Sequence, residues 1–572
     1  MLAVTSVLPP LPLTATPRLA PGITVDDPIA DAGQWIIARD GAPAVRVSEP
    51  VAVVARRFTG DRSIAEIAAA LGDPWTADDV GLIARRLDGA GLLAADADTG
   101  GSRGRRPRRR GRRLQYRPPL TLQWSVGDPS ALFAALRPLT RAVAGAPGVV
   151  IGAAVVVAGV VATALGWSDI VAVLESPLPL SVIAWLGLAI VLTTIVHELG
   201  HGATLSAFGG SPRRIGVMLF YLAPAFFCDV TDGWRLSRRR QRALVALAGP
   251  AVHLVCAAAS IVASRLVVDD SLHAGLVLYA LSCLAIAALN LLPFVQLDGY
   301  LALMSALDWP HLRRDAMTAA GHSFLGLLGG AARSTGAADP RPESDGLHRA
   351  GRHRGLLIAY GILCRLFPVG LVGFVLYRYA TSVAGLGTVP ALCYLATLGL
   401  VAAVVFRALL RGAKALAASA PNPWRVAAAA VAGTALIAAV LMIPVSSART
   451  VGFVSEGGEV RLVASAGETL PEAGTPVVLE SSGILIQRRL GTAVVGDGEP
   501  HRGEIDLAAL VPVTPSPLRT DGIQVALSDV RSGALPRFGR VRVDGDARSL
   551  GAWLWRTFLD VPLAALGSEA RA

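Results

Sequence analysis

The chain has 572 residues, of which 53% are hydrophobic and only 17% are charged, and its mean hydropathy is +0.53. This balance excludes an ordinary soluble enzyme as well as a disordered or fibrous chain. The five cysteines lie in or beside apolar stretches without paired spacing, which argues against a disulfide scaffold and against a CxxC metal site. The composition therefore predicts a membrane protein.

The N-terminal part of the chain predicts a cytosolic unit. Residues 1–24 form an apolar tail that prolines interrupt and that lacks a basic segment, so we expect no signal peptide and a cytosolic N-terminus. Residues 25–95 predict a small winged-helix unit, because two short strands around an Asp-Gly turn precede two helices that begin with capping boxes. The strands are Trp35–Ala38 and Ala44–Val47, and the capping boxes begin at Ser63 and Thr76.

Residues 96–145 predict a basic linker beside the membrane, with eight arginines between Arg103 and Arg113. Nucleic-acid binding is one interpretation of this run, but no aromatic residue interleaves with the arginines before Tyr116. We therefore expect the run to anchor the chain at the lipid bilayer, where it contacts anionic lipid, and we expect no nucleic-acid partner.

Residues 146–446 predict an α-helical membrane core with about seven spans, within a range of six to eight. The expected spans are Gly148–Trp167, Leu180–Val196, Ala243–Val267, Ala274–Phe294, Leu356–Tyr379, Val389–Phe406 and Val426–Ile443. A shorter apolar stretch, Ile215–Phe227, is interrupted by Pro224 and predicts a re-entrant or interfacial segment.

The distribution of basic residues orients these spans. If there are seven, every basic loop lies on one side, which we assign to the cytosol, and residues after about 446 lie outside. Residues 447–572 are rich in Gly, Pro and alternating β-branched residues, and they predict a small extracytosolic β domain. The expected location is a bacterial plasma membrane, crossed several times.

The second span ends in the sequence His197-Glu198-Leu199-Gly200-His201. On a helix, residues i and i+4 share a face, so both imidazoles can reach one zinc ion while Glu198 lies beside it. A polar helix end at the interface is the alternative interpretation. However, polar groups within a span cost several kcal/mol unless they bind something or line a polar cavity.

A zinc site needs a third protein ligand, and the segment Asn290–Gly299 supplies a candidate in Asp298. The second and fourth predicted spans run in the same direction, so the ends of both reach the same leaflet. Pro293 and Gly299 break the helix and allow the carboxylate to turn back toward the metal. We therefore expect His197, His201 and Asp298 to lie together.

These residues resemble the site-2 protease family of intramembrane zinc metalloproteases, which pairs HExxH with an Asn-x-x-Pro-x-x-x-Leu-Asp-Gly segment. The resemblance implies that His197, His201 and Asp298 bind Zn²⁺, that Glu198 is the catalytic base, and that Asn290 and Pro293 contact substrate. Three positions depart from the family pattern. Val295 and Tyr300 replace a frequent Pro and Gly, and His253, which we predict to be a polar core residue, replaces a frequent Asn.

The flanking segments resemble a narrower group. The sequence from Asp229 to Arg235, with Leu247-Ala248-Gly249-Pro250, is similar to peptide zinc metalloproteases of bacterial peptide-biosynthesis clusters, and residues 25–95 are similar to PqqD-like domains. The combination resembles the intramembrane metalloprotease of daptide biosynthesis. We expect Asp229 and Asp232 to be solvated acids at the membrane interface. The alternative is that they guide the substrate. The role of Arg365, inside an apolar run, stays open.

The resemblance implies a zinc-dependent intramembrane endopeptidase that removes the leader from, or otherwise matures, a ribosomally synthesised modified peptide. Its expected partners are a leader-bearing or membrane-associated peptide and peptide-modifying enzymes. One alternative is a regulatory protease that cleaves a membrane-bound anti-sigma factor or similar regulator. Another is a peptide-export accessory with a vestigial metal site. For residues 25–95, DNA binding or a purely structural role are the alternatives to leader binding.

Overall fold

The structure is a computed structural model that describes most of the chain. The described residues are 12–28, 35–39, 42–94, 114–117, 121–220, 223–309, 311–329, 353–383, 388–419, 422–465, 470–513 and 518–567. The first part of the predicted tail, residues 1–11, and the arginine run Arg103–Arg113 lie outside these ranges, so the predictions for them stay predictions.

The N-terminal unit combines a three-stranded antiparallel sheet with three helices. The elements are β1 (Ile23–Asp26), β2 (Trp35–Arg39), β3 (Ala42–Val47), α1 (Glu49–Ala55), α2 (Ile64–Leu71) and α3 (Ala77–Gly89). Both predicted capping boxes are formed, because the Ser63 and Thr76 hydroxyls each accept a hydrogen bond from the third helical N–H. An apolar core that includes Ile37, Phe58 and Val80 holds the sheet against the helices. The relation to PqqD-like domains stays a prediction.

The elements of the membrane core follow in chain order. They are β4 (Leu114–Arg117), β5 (Thr121–Gly127), α4 (Ser130–Ala144), α5 (Ala146–Leu165), α6 (Trp167–Leu174), α7 (Leu180–Ala207), β6 (Ile215–Phe220), β7 (Ala223–Cys228), α8 (Arg239–Ser264), α9 (Asp270–Asn290), α10 (Asp298–Leu307), α11 (Leu312–Leu327), α12 (Arg354–Val383), α13 (Thr388–Ala418) and α14 (Pro423–Leu441).

Among the described residues, seven helices are long and apolar enough to cross a membrane, as the sequence predicts. They are α5, α7, α8, α9, α12, α13 and α14. Two helices continue well beyond their predicted ends: α13 continues to Ala418 instead of Phe406, and α7 continues to Ala207 instead of Val196. The HExxH sequence is therefore inside a continuous helix. Leu and Ala residues beyond the apolar run favour this continuation, because both residue types have high helix propensity.

The segment predicted to be re-entrant or interfacial is a β-hairpin. Strands β6 and β7 form an antiparallel sheet with β4 and β5 in the order β4-β5-β6-β7. Pro224 is compatible with this position because β7 is an edge strand, where a missing N–H breaks no ladder bond. The predicted linker 96–145 thus contributes β4, β5 and the helix α4 to the membrane core.

The C-terminal part contains the predicted β domain and, in addition, a helical segment. Seven strands form one sheet in the order β11-β10-β14-β8-β9-β13-β12. They are β8 (Pro444–Glu456), β9 (Glu459–Ser465), β10 (Pro476–Ser481), β11 (Arg489–Val495), β12 (His501–Asp506), β13 (Arg519–Ser532) and β14 (Phe538–Ser549). Because β11 also pairs with β13, six strands close into a barrel and β12 stays on the outside.

After the barrel the chain continues as α15 (Leu550–Trp555), a wide helical turn and α16 (Val561–Gly567), which the sequence analysis did not predict. This segment packs against α12 and α13, and the Tyr394 hydroxyl of α13 donates a hydrogen bond to the Phe558 carbonyl at 3.2 Å. The segment lacks the uninterrupted apolar run of a typical span, because Arg556 and Asp560 interrupt it.

The helix α8 lies at the centre of the membrane core, in contact with α5, α7, α9 and α10. Its approach to α5 is close because Gly159 has no side chain, and a Cβ atom there would lie 2.6 Å from the Ala258 Cβ. Small residues at such crossings allow helices in a membrane to approach backbone to backbone.

We expect Gly159→Val to destabilise the protein, because overpacking a helix crossing costs about 1–3 kcal/mol. The measurement is the midpoint of thermal unfolding of the purified chain in detergent. Gly152→Val, on the same helix, is the matched control, since a Cβ at Gly152 meets nothing within 4 Å. Equal unfolding midpoints for the two variants would contradict the proposed close packing of α5 on α8.

Candidate metal centre

The helix α7 brings two buried imidazoles onto one face. His197 and His201 are 3% and 4% exposed, and their ring centroids lie 4.8 Å apart. Their Nε2 atoms are separated by 3.2 Å. The helical period explains this arrangement, because residues four apart lie one above the other.

Asp298 reaches the two imidazoles from the turn that follows α9. The helix ends at Asn290, and Asp298 is the first residue of α10. Its carboxylate oxygens lie 3.0 Å from the His197 Nε2 and 3.2 Å from the His201 Nε2. Gly299 makes this return possible, because a Cβ atom there would lie 2.0 Å from the Leu291 carbonyl oxygen.

The neighbouring helix α8 orients one imidazole by a hydrogen bond. The His201 Nδ1 lies 2.7 Å from the Val245 carbonyl oxygen, which can only accept. Nδ1 is therefore the protonated nitrogen, and the lone pair of Nε2 points toward His197 and Asp298. The His197 Nδ1 is buried and has no hydrogen-bond partner among the described residues.

Gly249, on α8, leaves open the space in front of both imidazoles. A Cβ atom built on this residue would lie 2.4 Å from the Nε2 of His197 and 2.4 Å from that of His201. A zinc ion sits roughly 2.0–2.1 Å from its imidazole nitrogens. The absent side chain thus leaves a space at almost the distance at which a metal ion would bind.

The three side chains fit a zinc ion. One ligand atom from each of His197, His201 and Asp298 lies within 4.8 Å of the others. Two imidazoles and one carboxylate are ligands that zinc accepts, and a catalytic zinc site uses three protein ligands with the fourth position open to water or substrate. The Oδ2 atom of Asp298 is buried and is not satisfied by a hydrogen-bond donor in the described chain, as expected of an atom that binds a cation.

The carboxylate of Glu198 lies beside this cluster and is positioned by the edge of the sheet. Its Oε2 accepts a hydrogen bond from the backbone N–H of Cys228 at 2.7 Å. Cys228 is the last residue of β7, whose other edge pairs with β6. Because backbone groups alternate along a strand, the N–H and C=O of Phe226 point toward the same unpaired edge as the Cys228 N–H.

The other two predicted site residues lie near Asp298 in the chain but are not bonded to the cluster. Asn290 is the half-buried last residue of α9, and Pro293 lies in the following turn, where its carbonyl accepts a 2.6 Å hydrogen bond from the Tyr360 hydroxyl. In the part of the chain that the structure describes, no hydrogen bond joins either side chain to the two imidazoles or to Asp298. Their contact with substrate stays a prediction.

His253 is a buried polar core residue, as the sequence predicts, and it lies beside His197. It lies on α8 with 0% exposure, and its ring centroid is 5.1 Å from that of His197. Neither ring nitrogen has a hydrogen-bond partner among the described residues. Its spacing of four residues from Gly249 is the sequence signal that places both on one face of α8.

The acids predicted to be solvated are in fact paired. Asp232 is 4% exposed and accepts hydrogen bonds from the Ser211 N–H and from the Arg213 and Arg235 guanidinium groups. Burial raises the pKa of Asp229, but hydrogen bonds from Thr231 and Arg214 outweigh it and hold the pKa below its usual value. Both acids stabilise the segment that follows β7, which leaves neither of them a solvated interfacial group.

Two curated proteins are similar to part of this chain. The "Putative zinc metalloprotease Rip2" of Mycobacterium tuberculosis is 34% identical over 151 residues, which cover 22% of this chain and 56% of Rip2. The "Putative peptide zinc metalloprotease protein YydH" of Bacillus subtilis is 28% identical over 120 residues, which cover 21% of this chain and 46% of YydH. The chain thus spans about half the length of the curated relatives it matches.

No family model and no solved structure matches the chain. The names of both relatives describe "putative" zinc metalloproteases. They do not extend to the daptide group that the flanking segments resemble.

We expect Gly249→Ala to abolish metal binding, because the added methyl group occupies the space between the two Nε2 atoms. The measurement is the zinc content of the chain purified in detergent. Gly187→Ala, on α7, is the matched control, because a Cβ there meets nothing within 4 Å. Wild-type zinc content in Gly249→Ala would contradict a metal position in front of Gly249.

We expect His253→Leu to raise the stability of the metal-free chain, because two buried unsatisfied nitrogens cost about 1–3 kcal/mol each. The measurement is the thermal unfolding midpoint in the presence of a chelator. The control is His273→Leu, which removes a 2.9 Å hydrogen bond to the Ser264 carbonyl and should lower the midpoint. A lower midpoint for His253→Leu would mean that its nitrogens are satisfied in the folded protein.

Proposed function

We propose that the chain is a zinc-dependent intramembrane endopeptidase. The observation that carries the proposal is the convergence of two imidazoles and one carboxylate on a space that Gly249 leaves open. The relatives named as zinc metalloproteases support the same chemistry. The seven long apolar helices, two of which carry the histidines and Gly249, support cleavage within or beside the membrane.

In this proposal His197, His201 and Asp298 hold the zinc ion. When bound, zinc acts as a Lewis acid and lowers the pKa of a coordinated water. The Asp298 carboxylate balances the charge of the cation in a poorly solvated place, and the Val245 carbonyl keeps the His201 ring in the orientation that binding needs.

Glu198 acts as the general base in this mechanism. Its carboxylate takes a proton from the attacking water and returns it to the leaving amine. The hydrogen bond from the Cys228 N–H holds one oxygen of the carboxylate, which leaves the other oxygen available for the proton. Asn290, by resemblance to the family, contacts the substrate beside the scissile bond.

The edge of β7 that has no strand partner among the described residues offers a binding mode for the substrate. A peptide in extended conformation can add to an edge strand through main-chain hydrogen bonds. The N–H and C=O of Phe226 point to that edge, next to the residue that binds Glu198. An extended peptide there has its carbonyl groups free of helical hydrogen bonds, as attack by water requires.

We further propose that the substrate is a ribosomally made peptide and that residues 25–95 bind its leader. Arg235, in the turn that follows β7, donates two hydrogen bonds to the Asp27 carbonyl at 3.0 and 2.7 Å. Arg213 lies 3.5 Å from the Asp26 carboxylate. These contacts join the N-terminal unit to the segment beside the site, which supports a role in presenting peptide to it. YydH is named a peptide metalloprotease, which supports the same substrate class.

We expect Glu198→Gln to keep its zinc and to lose nearly all cleavage, because the amide cannot accept the proton. The measurements are zinc content and proteolysis of a membrane-reconstituted peptide substrate. Asp298→Ala is the contrasting variant, which should lose most of its zinc as well, because two histidines alone bind zinc weakly. Cleavage by Glu198→Gln at the wild-type rate would refute the general-base assignment.

A further inference from the structure

A large cavity adjoins the candidate metal centre and is strongly basic. Its volume is about 870 Å³, which is within the range of typical ligand pockets of about 300–1,000 Å³. One wall is the end of β7 with Cys228, and another is α10, the helix that begins at Asp298. Five arginines line it, together with one carboxylate, that of Asp229.

Three of these arginines have carboxylate partners. Arg214 pairs with Asp229 at 2.9 Å, Arg242 with Asp308 at 2.6 Å, and Arg314 with its neighbour Asp315 at 3.5 Å. The remaining two are Arg313, on α11, and Arg365, on α12. In the described ranges no carboxylate lies within 4.0 Å of either guanidinium group.

The two remaining arginines are held by backbone carbonyls of neighbouring elements. Arg313 donates to the Cys364 carbonyl at 3.3 Å and to the Phe294 carbonyl at 3.3 Å, and Arg365 donates to the Met317 carbonyl at 2.6 Å. These bonds fix both guanidinium groups at the cavity but do not neutralise them. Arg365 is also well inside the apolar helix α12, where a charge without a counter-ion is costly.

A purely structural role in joining α11 to α12 explains the carbonyl bonds but not the charge. Neutral donors would form the same bonds at a lower desolvation cost. Arginine is the residue type that binds carboxylates most specifically, because its fork of N–H groups matches the two oxygens. The cavity therefore has room, fixed donors and an excess of positive charge beside the candidate metal centre.

We propose that this cavity binds a carboxylate of the peptide substrate, from an acidic side chain or from the C-terminus, through Arg313 and Arg365. This inference rests on the proposed function, since it specifies the substrate of the same site. A peptide that extends along β7 past Glu198 continues toward residues Asp229–Thr231, which line the cavity. The protease thus selects peptides that carry a negative charge beyond the scissile bond.

The test is a binding experiment with the full chain carrying Glu198→Gln, purified in neutral detergent, so that no cleavage is needed. The probes are three fluorescein-labelled twelve-residue peptides of Ala, Leu, Val and Gln. The first is amidated and neutral, the second has one internal Glu in place of Gln, and the third has a free C-terminal carboxylate. Fluorescence anisotropy measures the Kd of each probe and separates the two sources of carboxylate.

We expect at least one acidic probe to bind about tenfold more tightly than the neutral one, as for a charge-assisted hydrogen bond. In the double variant that combines Arg313→Gln with Arg365→Gln, the preference for the acidic probe should fall below about twofold. Replacement of both arginines by Lys should retain much of that preference. The matched control is Arg407→Gln with Arg411→Gln, which removes two exposed charges outside the cavity and should leave the preference unchanged. If the double Gln variant fails to fold, Arg365→Gln alone replaces it, because Arg365 is exposed and makes a single hydrogen bond.

Equal Kd values for the three probes would overturn the inference, and so would a preference that survives the double Gln variant. A third result that would overturn the inference concerns lipid. Phosphatidylglycerol would bind more tightly than phosphatidylcholine in nanodiscs, would need both arginines for this binding, and would block the acidic probes. The cavity would then hold a lipid headgroup. Binding is measured without turnover. If the chain binds acidic probes selectively but the wild-type chain cleaves no peptide, the result would contradict the proposed protease activity and not the proposed carboxylate site.

Discussion

The close crossing of α7 and α8 positions every other element of the candidate site. At this crossing, His197 and His201 face Gly249, and the His201 ring bonds to the Val245 carbonyl. A larger residue at Gly249 would separate the helices or fill the space between the imidazoles. Since α8 also contacts α5, α9 and α10, its position determines where the Asp298 turn can meet the histidines.

The polar groups at this crossing explain the surrounding architecture. Buried imidazoles and a buried carboxylate are stable in an apolar core only when each has a partner. The described chain supplies some of these partners and leaves the His197 Nδ1 and the Asp298 Oδ2 unsatisfied. A bound cation would satisfy the carboxylate oxygen, so the proposed metal binding would also stabilise the folded state.

The sheet β4-β5-β6-β7 connects the candidate metal centre to the other proposed functional surfaces. Its edge strand β7 binds Glu198 through the Cys228 N–H. The residues that follow β7 bind the N-terminal unit through Arg235 and line the basic cavity. A single short segment thus contacts the candidate base, the proposed leader-binding unit and the proposed carboxylate site. This proximity gives a physical route by which peptide binding at one place can affect the others.

Features that depend on local pattern can be predicted from the sequence alone. Apolar length predicted seven long helices, the i, i+4 spacing placed His197 and His201 on one face, and the breaks at Pro293 and Gly299 predicted the return of Asp298. Which side chains from distant elements meet depends on how the elements pack in three dimensions. The pairing of β6 with β5, the barrel closure, the approach of His253 to His197, and the two arginines at the cavity all result from packing between elements far apart in the chain. Periodicity carries no information about such contacts, because it records which face of an element is apolar and not which element covers that face.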